Sequence, residues 1–101
     1  MTQQFDSKYE AIAVGLFCAG RSDLYRDEKG IAKETLDEIL ENPEIKIVDE
    51  NMAQFNYVHK DCTMIEFKNK KNEIVRIATT KFRNGFDLWL IDPENGAGVR
   101  T

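Results

Sequence analysis

The sequence predicts an α+β fold, with two N-terminal helices packed on a four- to five-stranded antiparallel meander sheet. Up to Pro43 the apolar residues recur at three- and four-residue spacing, the period of a helix that buries one face. Beyond Pro43 they recur every second residue, in runs joined by short polar connections. Strands met in that order pair as antiparallel neighbours.

The first helix is expected over Ser7 to Ala19. Tyr9, Ile12, Ala13, Leu16 and Phe17 form its apolar stripe, Val14 and Cys18 widen that stripe, and Ser7 with Glu10 has capping-box spacing. Gly20 is a natural stop. Residues Arg21 to Gly30 are polar and mixed in charge and read as a loop. Within it, Ser22 or Asp23 can cap one short turn carrying Leu24 and Tyr25. Ile31 to Glu41 returns to helical spacing through Ile31, Thr35, Leu36, Ile39 and Leu40, with Glu34, Asp37, Glu38 and Glu41 on the opposite side. Asn42 and Pro43 end this second helix, because the residue before a proline is pushed out of helical geometry.

Ile45 and Ile47 then alternate with charged neighbours, and strands are expected over Ala53–Val58, Cys62–Lys68, Glu73–Thr80 and Phe86–Ile91. The connections are Asp49–Asn51, His59–Asp61, Asn69–Asn72 and a loop ending in Asn84 and Gly85, a dipeptide suited to positive backbone torsions. Val48, Met52, Phe55 and His59 also sit at helical spacing, so a third helix over 49–58 is the alternative there. Phe86, Leu88 and Leu90 point to one side of the last strand, and Trp89 and Ile91 to the other. A sheet covered on one side alternates more cleanly. Either this sheet curls over its own second face, or that face meets another chain, as in a homodimer.

At 101 residues, 42% hydrophobic and 32% charged, the chain suits one domain, expected over residues 1–94 with a flexible tail over 95–101. Its longest apolar run, Ala11 to Ala19, falls short of the roughly 20 residues a spanning helix needs. Asp6, Glu10 and Phe17 do not suit a signal peptide, which leads to the expectation of a cytoplasmic protein with Cys18 and Cys62 as free thiols. Two cysteines and the single His59 are too few for a closed zinc site of sulfur and nitrogen ligands. No glycine falls in a dinucleotide or P-loop spacing, and no cofactor is expected.

No catalytic constellation survives inspection. Cys18 lacks the arginine six positions on that a phosphatase loop requires, since Leu24 stands there. His59, Asp61 and Cys62 crowd together, but across an expected hairpin turn rather than at a site gathered by the fold. The chain is therefore expected not to be an enzyme.

Charge is the more informative signal. From 34 to 50, seven acids face only Lys46, about −6; from 68 to 83, Lys68, Lys70, Lys71, Arg76, Lys81 and Arg83 face only Glu73, about +5. The row Glu34, Asp37, Glu38 and Glu41 reads either as the solvent face of an amphipathic helix or as an imitation of phosphate charge that docks in a basic groove. Trp89 is expected to be partly exposed and to serve as an aromatic anchor for a partner.

The leading expectation is thus a small acidic protein-binding module, an inhibitor or antagonist of the phage-encoded or immunity type, acting on a nuclease or other nucleic-acid-processing enzyme. The alternative is a nucleic-acid-binding or regulatory protein that uses the basic 68–83 hairpin. A third reading is a small ligand-binding domain or enzyme with a pocket between helices and sheet, formed by Tyr9, Tyr57, His59 and Trp89.

Overall fold

The computed structural model describes residues 4–49 and 61–101. In chain order these form β1 (Gln4–Phe5), α1 (Lys8–Cys18), a 3-10 turn (Ser22–Tyr25), α2 (Leu36–Leu40), β2 (Lys46–Val48), β3 (Thr63–Lys68), β4 (Ile74–Phe82), β5 (Gly85–Ile91) and β6 (Gly98–Arg100). The fold is α+β, with one antiparallel sheet of six strands among the described residues. The strand expected over Ala53–Val58, its helical alternative, Tyr57 and His59 lie outside those residues.

Strands β2 to β5 form the meander, each pairing with the next along the chain. The other side of β5 is shared by two short strands, β1 against Phe86 and Asp87 and β6 against Trp89 to Ile91. These two raise the strand number above the expected four to five. Their lengths, two and three residues, are too short to show any alternation. The segment expected to be a free tail is thereby tied to the sheet, and the Thr101 amide extends the pairing by donating to the Leu88 carbonyl at 2.9 Å.

Helix α1 starts where expected. The Ser7 side chain accepts the Glu10 amide at 3.1 Å. At its end Gly20 takes a φ of +74°, its amide donates to the Phe17 carbonyl at 2.9 Å, and the Arg21 amide donates to the Leu16 carbonyl at 2.8 Å. Both bonds satisfy carbonyls that the last turn leaves open.

Helix α2 is shorter than the expected Ile31–Glu41. Residues 31–34 instead run back along 25–27, with the Lys33 amide on the Tyr25 carbonyl and the Asp27 amide on the Ile31 carbonyl, both at 2.8 Å. Gly30, at a φ of +83°, makes the reversal. The Asp27 carboxylate fixes it by accepting the Lys29 and Ile31 amides. Thr35 sits just ahead of the helix, where its hydroxyl accepts the Glu38 amide at 3.2 Å. A threonine at apolar-stripe spacing gains more as an N-cap than as a core residue.

The main core lies between the sheet and the helices and includes Phe5, Ile12, Leu16, Leu24, Ile39, Ile65, Phe67, Ile77 and Leu88. A second cluster of Met64, Ala78, Trp89 and Ile91, with Val48 and Cys62 beside it, occupies the opposite face. Trp89 is only 9% exposed, and its indole N–H donates to the Thr80 hydroxyl at 2.9 Å. The expected exposed anchor is thus a buried residue. The four residues of this cluster are all buried within the single chain, so they do not form an open apolar face.

The β4–β5 turn also departs from expectation. The positive torsion falls on Arg83, at a φ of +57°, while Gly85 is the first residue of β5 and pairs with Phe82. Glycine is needed at 85 because a Cβ there would lie 2.8 Å from the Phe5 carbonyl oxygen. It admits β1 to the sheet rather than turning the chain.

Candidate functional site

The acidic row is built on α2 and the residue that leads into it. Glu34, Asp37, Glu38 and Glu41 are all exposed. Glu38 also helps fold the helix: its carboxylate accepts the Glu34 amide at 3.2 Å while its own amide donates to Thr35, a reciprocal arrangement that satisfies two open N–H groups. The Lys33 ammonium donates to the Glu38 carbonyl rather than to a carboxylate. Among the described residues Glu34, Asp37 and Glu41 form no ion pair. The stretch therefore presents three charges without an ion pair among the described residues, Asp37 on α2, Glu41 at its C-cap and Glu34 just before its N-cap.

The basic residues do not form one surface. Lys68, Lys70 and Lys71 lie at the β3–β4 turn, and Lys81 and Arg83 at the far end of the nine-residue β4. At about 3.3 Å per residue, roughly 25 Å separates the two groups. Arg76, between them, is half-buried and paired with Glu66 at 2.8 Å, so its charge is already met. Arg83 lies 5.1 Å from the Phe82 ring centre. The 68–83 hairpin thus divides into two small cationic tips.

Sequence reasoning missed the role of Arg21. Following the helix stop, its side chain reaches Asp23 and Glu44, each at 3.1 Å, and donates to the Lys68 carbonyl. It thereby ties the end of α1 to the segment after α2 and to the end of β3. The Arg21 hydrogen bond holds the Asp23 carboxyl below its ordinary range, and Asp23 in turn raises the guanidinium. The only local sequence signal was a cation two residues before Asp23. One end of the acidic segment therefore folds back toward the lysine turn, and part of the charge polarity is closed within the molecule.

The pocket expected from Tyr9, Tyr57, His59 and Trp89 is not assembled by the residues described. Tyr9 packs with the helix-side core and donates its hydroxyl to the Lys33 carbonyl, whereas Trp89 belongs to the opposite face. A different cleft is present. It has a volume of about 390 Å³ and lies between one flank of α1 and strands β4 and β5, with Val14, Cys18, Val75, Ile77, Leu88 and Leu90 among its walls. Gly15 brings the helix close at this point, since a Cβ there would sit 2.5 Å from the Ile77 Cδ1 atom.

Cys18 is an exposed thiol and Cys62 is half-buried. No helix among the described residues is long and apolar enough to cross a membrane. Comparison with protein-family models, with curated proteins and with solved structures finds no match to this chain.

Proposed function

We propose that this chain is a small protein-binding module that uses the α2 acids to dock on a cationic surface of another macromolecule. Within that class the reading is an inhibitor or antagonist of a nuclease or other nucleic-acid-processing enzyme, whose phosphate-binding groove would receive carboxylates in place of phosphates. The observation that carries it is the set Glu34, Asp37 and Glu41, exposed on and immediately beside α2 with no ion-pair partner among the described residues. Such a row steers a basic partner at long range, and desolvation in a groove strengthens each contact. The division of the basic residues between two ends of β4 weighs against the nucleic-acid-binding alternative, because that mode draws its affinity from many phosphates neutralised together.

The test is affinity capture from a lysate of the protein's own biological setting at low and high salt, followed by association kinetics with the captured partner. The expected result is a stoichiometric nucleic-acid enzyme whose association slows with salt. Reversing Glu34, Asp37 and Glu41 to lysine should weaken it at least tenfold, with Glu38 left intact because it caps the helix. Unchanged affinity in that variant at every salt concentration would refute the docking surface, and recovery of nucleic acid alone would favour the lysine turn.

A further inference from the structure

We propose that the cleft between α1 and strands β4 and β5 binds a medium-chain monocarboxylate, its hydrocarbon tail in the cleft and its carboxylate at the lysine turn of residues 68–71. The walls are hydrocarbon, and the volume of about 390 Å³ falls within the range of small-molecule sites. At about 30 Å³ for each group the size of a water molecule, it has room for a chain of roughly ten such groups.

Of the residues that border the cleft, Asn69, Thr101 and Trp89 have their polar side-chain groups already engaged, and Cys18 offers a thiol, a weak donor. Asn69 accepts the Lys71 and Glu73 amides and donates to the Glu73 carboxylate, and the Thr101 hydroxyl donates to the Leu88 carbonyl. The interior therefore offers an occupant burial rather than polar recognition, which suits a hydrocarbon chain and not a sugar or a nucleobase. Leu90, on the wall, stays 51% exposed because the cleft opens there.

Charge fixes the other end of the occupant. Where Ala19 and Asn69 border the cleft, the aliphatic stem of Lys70 runs past Gly20 at contact distance, its Cδ atom 3.5 Å from where a Cβ would stand. Lys70 forms no ion pair among the described residues, and the nearby Asp23 carboxylate is held through both its oxygens by Arg21. Helix α1 also ends here, but the Leu16 and Phe17 carbonyls that would repel an anion are occupied by the Arg21 and Gly20 amides. An apolar cleft with a lysine turn at one end is complementary to an anionic amphiphile. The site is separate from the α2 acids and stands whether or not the docking reading does.

The experiment is alkylation of Cys18, which is exposed on the cleft wall, in the full chain titrated with decanoate below its micellar concentration. Saturable protection of Cys18 by at least fivefold is expected. Nonyltrimethylammonium, with the same nine-carbon alkyl tail and opposite charge, should give none. The double variant Lys70→Glu, Lys71→Glu, both exposed positions, should melt as the parent does and need at least fivefold more decanoate. Cys62 is the internal control, since detergent-like loosening would speed alkylation of both thiols. Absence of saturable protection, equal protection by the ammonium, or an unchanged decanoate requirement in the lysine variant would each overturn the proposal.

Discussion

Two adjacent threonines on β4 show how far side-chain chemistry depends on the face it meets. Thr79 and Thr80 are both almost wholly buried, 0% and 1% exposed, yet they face opposite sides of the sheet. The Thr80 hydroxyl accepts the Trp89 indole N–H at 2.9 Å, whereas the Thr79 hydroxyl has no partner among the described residues. A buried hydroxyl without a hydrogen bond costs about 1–3 kcal/mol, and valine keeps its shape without that cost. Thr79→Val should therefore stabilise the protein by about 1 kcal/mol, and Thr80→Val should destabilise it by about 1–2 kcal/mol by stranding the indole. Urea denaturation of both variants checks the pair; destabilisation by Thr79→Val would show that its hydroxyl is satisfied in solution. Nothing in the local sequence separates the two residues. The strand itself was legible as an apolar run between short polar connections, but which threonine has a partner depends on what β5 places opposite.

At the scale of elements, what was legible is what local chemistry decides. Helix α1 has its cap at Ser7, its stripe and its stop at Gly20, all within one stretch, and the meander strands announce themselves by period two. Elements settled by distant contacts were not legible. Strand β1 is two residues long and exists because Phe5 is buried in the core and Gly85 opens the edge of β5 to it. The start of the expected second helix gave way to a reversal closed by Asp27 and Gly30, a competition that apolar spacing does not register. The acidic row was legible as a charge run; its unpaired state required the fold. Gly85→Ala tests the first of these points. Its Cβ would meet the Phe5 carbonyl oxygen as well as the Gln4 side chain, each at 2.8 Å, and because the backbone contact cannot be relieved by a rotamer the edge must shift, at a cost of about 1–3 kcal/mol. Hydrogen exchange should quicken at the β5 amides that face β1 while β3–β4 protection holds; an unaltered exchange pattern would mean that β1 tolerates the displacement.

For the whole molecule, the two charged segments that look like an external dipole in the sequence are partly joined through Arg21. Its links to Asp23, to Glu44 and to the Lys68 carbonyl connect three parts of the chain that lie far apart in sequence. This joint has a pH signature. The carboxyl of Asp23 is held low chiefly by the Arg21 hydrogen bond, with burial opposing the shift and the charges of Arg21 and Lys70 adding to it. A carboxyl whose pKa is lower in the folded state stabilises the fold above its unfolded pKa, near 3.9, and loses that contribution as pH falls through the folded value. The Asp23 side chain is 61% exposed, so solvent screening holds the contribution to about 0.5 kcal/mol. The parent should therefore exceed Asp23→Asn in stability by that amount at pH 6, and the two should converge as pH falls below about 4. Comparing the two in denaturant at each pH cancels the titration of Glu44, which also faces Arg21. A difference that persists unchanged to pH 2 would show that Asp23 holds Arg21 by geometry alone, leaving the joint between the acidic and basic segments without an electrostatic component at this residue.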